Sequence, residues 1–251
     1  MKRLLIVNAD DCNLTPGVTC AILDCHDRGI VTSTSVLVNL PFPRGRVNAL
    51  LKRKRLGLGL HLNVTFGRPV SQISSVRSLV NREGIFFRPE RYLRQKPRAD
   101  EIDAEYERQI KKFREIFGRY PTHLDTHHQM HDREIFYRVL LKLASRYRIP
   151  VRRSCRMKSK AVWGSVKTTD HVFGYLSSKK NWTPAKLRKT LRELPAGVSE
   201  IFCHPGRNDA ALCAVSSLTG GRQSDAAVFA SHKAKMWIRE NGIRLVHFGM
   251  L

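Results

Sequence analysis

Apolar positions in this chain come in short continuous runs that alternate with segments of helical period. Leu4 to Val7 is a continuous run of the buried-strand kind, and it ends abruptly in Asn8, Asp10 and Asp11. Thr15-Pro16 then offers a helix cap and a first helical residue, with Gly29 as the stop. Ile30 to Val38 (IVTSTSVLV) is β-branched and predicts a second strand. Leu56 to Asn63 (LGLGLHLN) predicts a third, its glycines allowing close packing at some cost in stability.

The same alternation continues. Ile102, Tyr106, Ile110, Phe113 and Phe117 recur at helical spacing and predict a helix over 100–117, closed by Gly118 before Pro121. A fourth strand follows at Thr122 to Thr126, then a helix from about Asp132 to Tyr147 and a short strand around Ile149 to Arg152. Thr183-Pro184 starts another helix with Leu187, Leu191 and Leu194 on one face, and Ser199 to Cys203 is the next strand, followed at once by His204-Pro205-Gly206. A last helix over Ser224 to Glu240 and a final strand at Ile243 to Phe248 complete the pattern. With no internal repeat, low-complexity tract or linker, residues 1–251 are expected to form one domain.

Strands alternating with helices imply a parallel sheet covered by helices, either an open doubly wound sheet or a (β/α) barrel. Asp10 and Asp11, His61 and Asn63, the His123 to His131 cluster, Arg152 and His204 each fall at the carboxyl end of a different predicted strand. A barrel gathers polar groups from many strand ends on one face, whereas an open sheet concentrates them at one switch point. The expected fold class is therefore α/β, as an irregular (β/α) barrel.

Composition changes this picture little. The 42% hydrophobic and 26% charged content belongs to an ordinary globular protein, and no run of about 18 apolar residues offers a membrane span. The polar residues from Asn8 onward interrupt the N-terminal apolar stretch before a signal-peptide core forms. Six cysteines without a CxxC pair suit reduced thiols and a cytoplasmic location. The net charge of +24, with basic clusters at Arg44 to Arg55, Arg146 to Lys160 and Lys179 to Arg192, stands out. It attracts polyanions such as nucleic acid, anionic headgroups or an acidic substrate, although a solvated basic surface is the plain alternative. No zinc-finger or RRM string accompanies it, so no specific nucleic-acid partner is expected.

The strongest chemical signal is THLDTHHQMH, residues 122–131, with four histidines and an aspartate at one strand end. Neutral imidazole is the usual ligand of a divalent metal, and a nearby carboxylate orients it through its second nitrogen. Asp10 and Asp11 are an adjacent pair after a buried strand. Two buried carboxylates repel, and a cation relieves the conflict, while a cap or turn role is the plain alternative. His61 in GLHLNVT and His204 in CHPG are each, singly, as well explained by a structural role. One carboxylate and two imidazoles leave coordination positions for water and substrate. A second carboxylate then takes the water's proton, and a distant histidine protonates a leaving amine. The constellation suggests hydrolysis of an acyl group.

VNADD, GIVTSTSVLVN, GLHLNVTFGRPVS, PTHLDTHHQMH and CHPG together resemble the YdjC-like (ChbG/HpnK) carbohydrate deacetylase family in order and spacing, from Met1 to about Gly206. The resemblance implies a NodB-like distorted (β/α) barrel and a divalent metal, magnesium or zinc, held by Asp11, His61 and His127. It implies Asp10 as general base and His204 as general acid, with Asp125, His128, Arg152 and Asn63 binding substrate or supporting the ligands. Cys12-Asn13 stands where the family usually has Phe-Gly, and Gln129 where a further histidine is common. The implied reaction removes acetate from an N-acetylated amino sugar, a chito-oligosaccharide or a lipid-linked glycan, and dimers are common in that family. Two other readings stay open: a metal-dependent hydrolase or phosphoesterase acting on an anionic substrate, and a non-catalytic basic barrel binding RNA or anionic membrane.

Overall fold

The computed structural model describes residues 2–156, 166–174 and 181–251, so the parts of the basic clusters at 157–160 and 179–180 lie outside the described residues. Among the described residues seven strands pair in parallel, β1 with β2, β6 and β7, β6 with β5, and β3 with β4. They are β1 (Arg3–Cys12), β2 (Ser33–Val36), β3 (Gly57–Leu62), β4 (Leu124–Thr126), β5 (His171–Phe173), β6 (Gly197–Cys203) and β7 (Arg244–Leu245). The helices are α1 (Pro16–Asp27), α2 (Arg44–Leu51), α3 (Ala99–Phe117), α4 (Glu134–Tyr147), α5 (Pro184–Arg192), α6 (Ala210–Val215), α7 (Gly220–Phe229) and α8 (His232–Glu240).

Contacts divide the chain into two compact units. The first comprises Met1–Val36, Lys52–Leu58 and Thr169–Leu251. In it, β1 runs beside β6 in unbroken register from Arg3 opposite Gly197 to Ala9 opposite Cys203, and its Leu5, Ile6 and Val7 are fully buried. Thr15 caps α1 by accepting from the Val18 N–H, and Thr183 caps α5 by accepting from the Lys186 N–H, as both Thr-Pro pairs predict. The second unit comprises Leu37–Leu51 and Gly59–Thr168. There β3 and β4 pair in parallel, and α3 packs against α4 and buries the predicted stripe from Ile102 to Phe117, ending at Gly118 with φ of 69°.

Several expected elements are broken or shortened. The helix expected over Ser224 to Glu240 is two, because Ser231 turns extended and caps α8 by accepting from Ala234 N–H, while Phe229 C=O accepts from Ile30 N–H. That approach needs Gly29, where a Cβ would meet the Phe229 oxygen at 1.9 Å. The strand expected at Ile149 to Arg152 is a single bridge from Val151 to Leu124, since Pro150 has no N–H to extend a ladder. The final strand is confined to Arg244–Leu245, opposite Leu4 and Leu5. The six-residue α6, capped by Asp209, is too short to show a helical period in sequence. The six cysteines form no disulfide, and no helix among the described residues is long and apolar enough to cross a membrane.

Candidate active site

In the first unit the polar groups gather where β1 and β6 end. The register of β1 against β2 slips between Ala9 and Cys12, so Asp10 and Asp11 together oppose Ser35, and Asp11 takes a left-handed φ of 66°. A bulge of this kind breaks the alternation that would send adjacent side chains to opposite faces, and Asp tolerates that conformation better than most residues. Both aspartates are buried. Asn8 Nδ2 donates to Asp10 Oδ1 at 2.9 Å and to Ser35 Oγ at 3.2 Å. Arg222 Nη2, buried on α7, donates to Asp11 Oδ2 at 2.6 Å.

His204, just past β6, places Nε2 3.7 Å from Asp10 Oδ2. Burial pulls its pKa below the ordinary imidazole value, with the Asp10 and Asp11 charges opposing that shift. Its backbone is held by Asp225, whose Oδ2 accepts from His204 N–H and whose Oδ1 accepts from Trp182 N–H, both at 2.9 Å. Burial pushes the Asp225 carboxyl up from its usual value, against those hydrogen bonds. Trp182 Nε1 in turn donates to Phe202 C=O at 3.0 Å, so one buried aspartate and one tryptophan fix the segment that carries His204.

In the second unit His61 and Asp125 are register partners on β3 and β4, with Nδ1 and Oδ1 2.7 Å apart. Arg152 lies against the other oxygen at 3.1 Å, and all three side chains are buried. Burial opposes the charge on Asp125, but the charges of His61 and Arg152 and the His61 hydrogen bond outweigh it and hold the carboxyl well below the usual range. A carboxylate only accepts, so in the neutral ring the proton sits on Nδ1 and the lone pair on Nε2, the tautomer of a histidine that ligates through Nε2.

The His127 and His61 rings meet edge to face, centroids 5.3 Å apart. His127 is buried and His128 exposed, their rings 3.8 Å apart, because the chain turns left-handed at His128 and Gln129 with φ of 54° and 51°. His128 Nδ1 shares a 2.8 Å hydrogen bond with Thr65 Oγ1. Asn63 ties down that loop, its Oδ1 accepting from the N–H of Thr65 and Phe66 and its Nδ2 donating to Phe66 C=O at 2.8 Å. His123 and His131 are both fully buried. Gly59 leaves room for the His123 ring, which a Cβ there would meet at 2.1 Å.

Sequence reasoning missed Trp182, Arg222, Asp225, Glu105 and Gln109 of this framework. Arg222 and Asp225 lie beyond the motif at His204. Glu105 and Gln109 are fully buried on α3, where Gln109 donates to Asn63 C=O at 2.6 Å and accepts from Asn63 N–H at 3.0 Å. Glu105 accepts from Gln109 Nε2 at 2.7 Å and from the N–H groups of Val70 and Ser71 at 2.9 Å. Both stand one turn apart on the inward flank of the stripe from Ile102 to Phe113, and that placement was the signal available for them.

The YdjC-like protein family model matches residues 4–240, so the likeness continues well past Gly206, where the motifs alone suggested it stopped. A carbohydrate deacetylase of Thermoanaerobacter pseudethanolicus is 31% identical over 249 residues, 99% of each chain. A chitooligosaccharide deacetylase of Proteus mirabilis is 31% identical over 98% of this chain and 97% of its own. The crystal structure of an Enterococcus faecalis protein, described there only as a candidate cellobiose-phosphate cleavage protein, superposes with a TM-score of 0.92 at 30% identity over 100% of this chain and 99% of that one. A family 4 carbohydrate esterase from Streptomyces lividans, covering 97% of this chain and 91% of its own, shares the fold at a TM-score of 0.55 and 9% identity. The fold is thus a (β/α) barrel, as the strand-end polar groups led us to expect, and of the NodB-like kind that the family resemblance implied. Matched by that family model over nearly its whole length, the chain belongs to the YdjC-like protein family.

Proposed function

We propose that this protein is a metal-dependent carbohydrate deacetylase that hydrolyses the acetamide of an N-acetylated amino sugar to a free amine and acetate. Relatives named carbohydrate deacetylase and chitooligosaccharide deacetylase support the reaction class. The observation that carries the metal is the donor chemistry: Asp11, His61 and His127 are each buried and each offers a ligand atom, and Asp125 supports His61 in the tautomer a ligand needs. One carboxylate and two imidazoles suit magnesium or zinc with positions left for water and substrate. A divalent ion so held supplies a lowered water pKa and a polarised amide carbonyl.

In this reading the chain's own residues handle the protons. Asp10, fixed through Oδ1 by Asn8, accepts the proton of the attacking water. His204, whose backbone Asp225 fixes, donates a proton to the departing sugar nitrogen as its bond to the acetyl carbon breaks. Asp125 and Arg152 position His61, Asn63 shapes the loop that carries Thr65, and Thr65 holds His128 beside His127 as a contact for the sugar. The substrate is a chito-oligosaccharide or a lipid-linked glycan, and the site of action is the cytoplasm.

The test pairs elemental analysis of purified protein with acetate detection over a panel of N-acetylated glycans and phosphate esters. His61→Ala and His127→Ala are each expected to abolish metal-dependent acetate release while circular dichroism stays unchanged. Acetate release that persists after metal removal, or phosphate release in its place, defeats the proposal.

A further inference from the structure

The positive charge is unevenly compensated. On α3, six acids accompany four bases, and its cations pair locally: Arg108 with Glu115 at 2.7 Å, and Lys111 with Glu107 and Lys112 with Glu115 at 3.5 Å. On α4, Arg138 pairs with Glu134 at 2.6 Å and Lys142 with Asp103 at 3.1 Å. In the first unit α5 carries four Lys or Arg and no acid, and α8 carries three and only Glu240.

These two helices pack against each other, each burying an apolar stripe, Leu187 and Leu191 on α5 and Ala234 and Ile238 on α8. Burying those stripes turns the opposite faces outward. Arg188, Lys189 and Arg192 on α5 and Lys233 and Arg239 on α8 are exposed, as is Arg244 beyond α8. Arg192 has a 3.7 Å pair with its neighbour Glu193, whereas Arg188, Lys189, Lys233 and Arg239 have no ion-pair partner among the described residues. Met236, 42% exposed, stands on α8 one turn from both His232 and Arg239, beside half-buried Trp237.

We propose that the outer face of α5 and α8 docks the protein on an anionic lipid bilayer. Like charges crowded on two packed helices repel in water, and a negatively charged surface relieves that repulsion. Long Lys and Arg side chains reach the headgroups while an apolar side chain between them enters the boundary, the role of Met236. A bilayer fits this face better than RNA does, because single-stranded RNA is held by rows of aromatic platforms, whereas α5 carries no aromatic residue and α8 only exposed His232 and half-buried Trp237. The inference stands independently of the deacetylase reading.

The experiment is co-sedimentation of the full chain with vesicles of phosphatidylcholine alone or mixed with phosphatidylglycerol, alongside binding to bulk RNA. Binding is expected only to the mixed vesicles, and to weaken as salt rises. The variant Arg188→Gln, Lys189→Gln, Lys233→Gln, Arg239→Gln is expected to lose affinity by about tenfold or more. A control with the same change in net charge, Lys111→Gln, Lys112→Gln, Arg138→Gln, Lys142→Gln, is expected to bind as the parent does. Met236→Asp, a single surface change that guards against misfolding of the fourfold variant, is expected to weaken vesicle binding severalfold. Equal loss in both fourfold variants, unchanged binding by Met236→Asp, no binding to mixed vesicles, or tighter binding to RNA than to vesicles overturns the proposal.

Discussion

His61 and Asp125, register partners on adjacent parallel strands, share a 2.7 Å hydrogen bond through Nδ1, and the same carboxylate neutralises the fully buried Arg152. Asp125 therefore has two jobs, and they separate experimentally. Asp125→Ala leaves a guanidinium buried without its counter-charge, a loss on the order of 3–5 kcal/mol. Adding Arg152→Met removes the stranded charge and is expected to recover part of that stability but none of the metal affinity. Urea unfolding of metal-free protein, set beside metal titration, checks both halves. Equal stability of the single and double variants would refute the assignment.

Asp225 holds the backbone of His204 and of Trp182 without reaching substrate in the proposed scheme. Asp225→Ala leaves both N–H groups without that acceptor, at about 1–3 kcal/mol for each one that stays unsatisfied. We expect kcat for acetate release to fall by at least about tenfold, as a displaced acid does, with metal content unchanged. Loss of metal together with activity would place Asp225 in the ligand framework instead.

His131 is fully buried, its Nδ1 2.7 Å from Thr126 Oγ1, and burial with the nearby Arg152 charge lowers its pKa to about 4. The unfolded imidazole protonates near 6.5, so between those values the unfolded chain binds the extra proton and stability falls as the pH drops. The contribution is fully present above about pH 6.5 and amounts to about 3 kcal/mol lost on reaching pH 4. His131→Asn is expected to flatten this dependence in urea midpoints measured from pH 7 downward. An unchanged slope between parent and variant would show that another group titrates there.

What the sequence by itself determined is local. Helical period from Ile102 to Phe117, the Thr-Pro caps at Thr15 and Thr183, the glycine stop at Gly118 and the apolar run from Leu4 to Val7 are each settled within a few residues, by side-chain period and backbone preference. The polar residues at strand ends were legible for the same reason, because an apolar run that stops at Asp10 or His204 marks where a strand leaves the core. The tertiary structure alone decided which distant polar groups meet. Arg222 and Asp11 are 211 positions apart, and Glu105 and Gln109 sit among apolar neighbours with no period of their own. A buried polar side chain is stable only if the fold brings it a partner, and nothing in its local sequence says which one. The bulge at Asp10 and Asp11 and the break between α7 and α8 belong to the same class. The bulge is a slip in the register of β1 against β2, and the break goes with Phe229 C=O accepting from Ile30 N–H, choices made only when the segments pack.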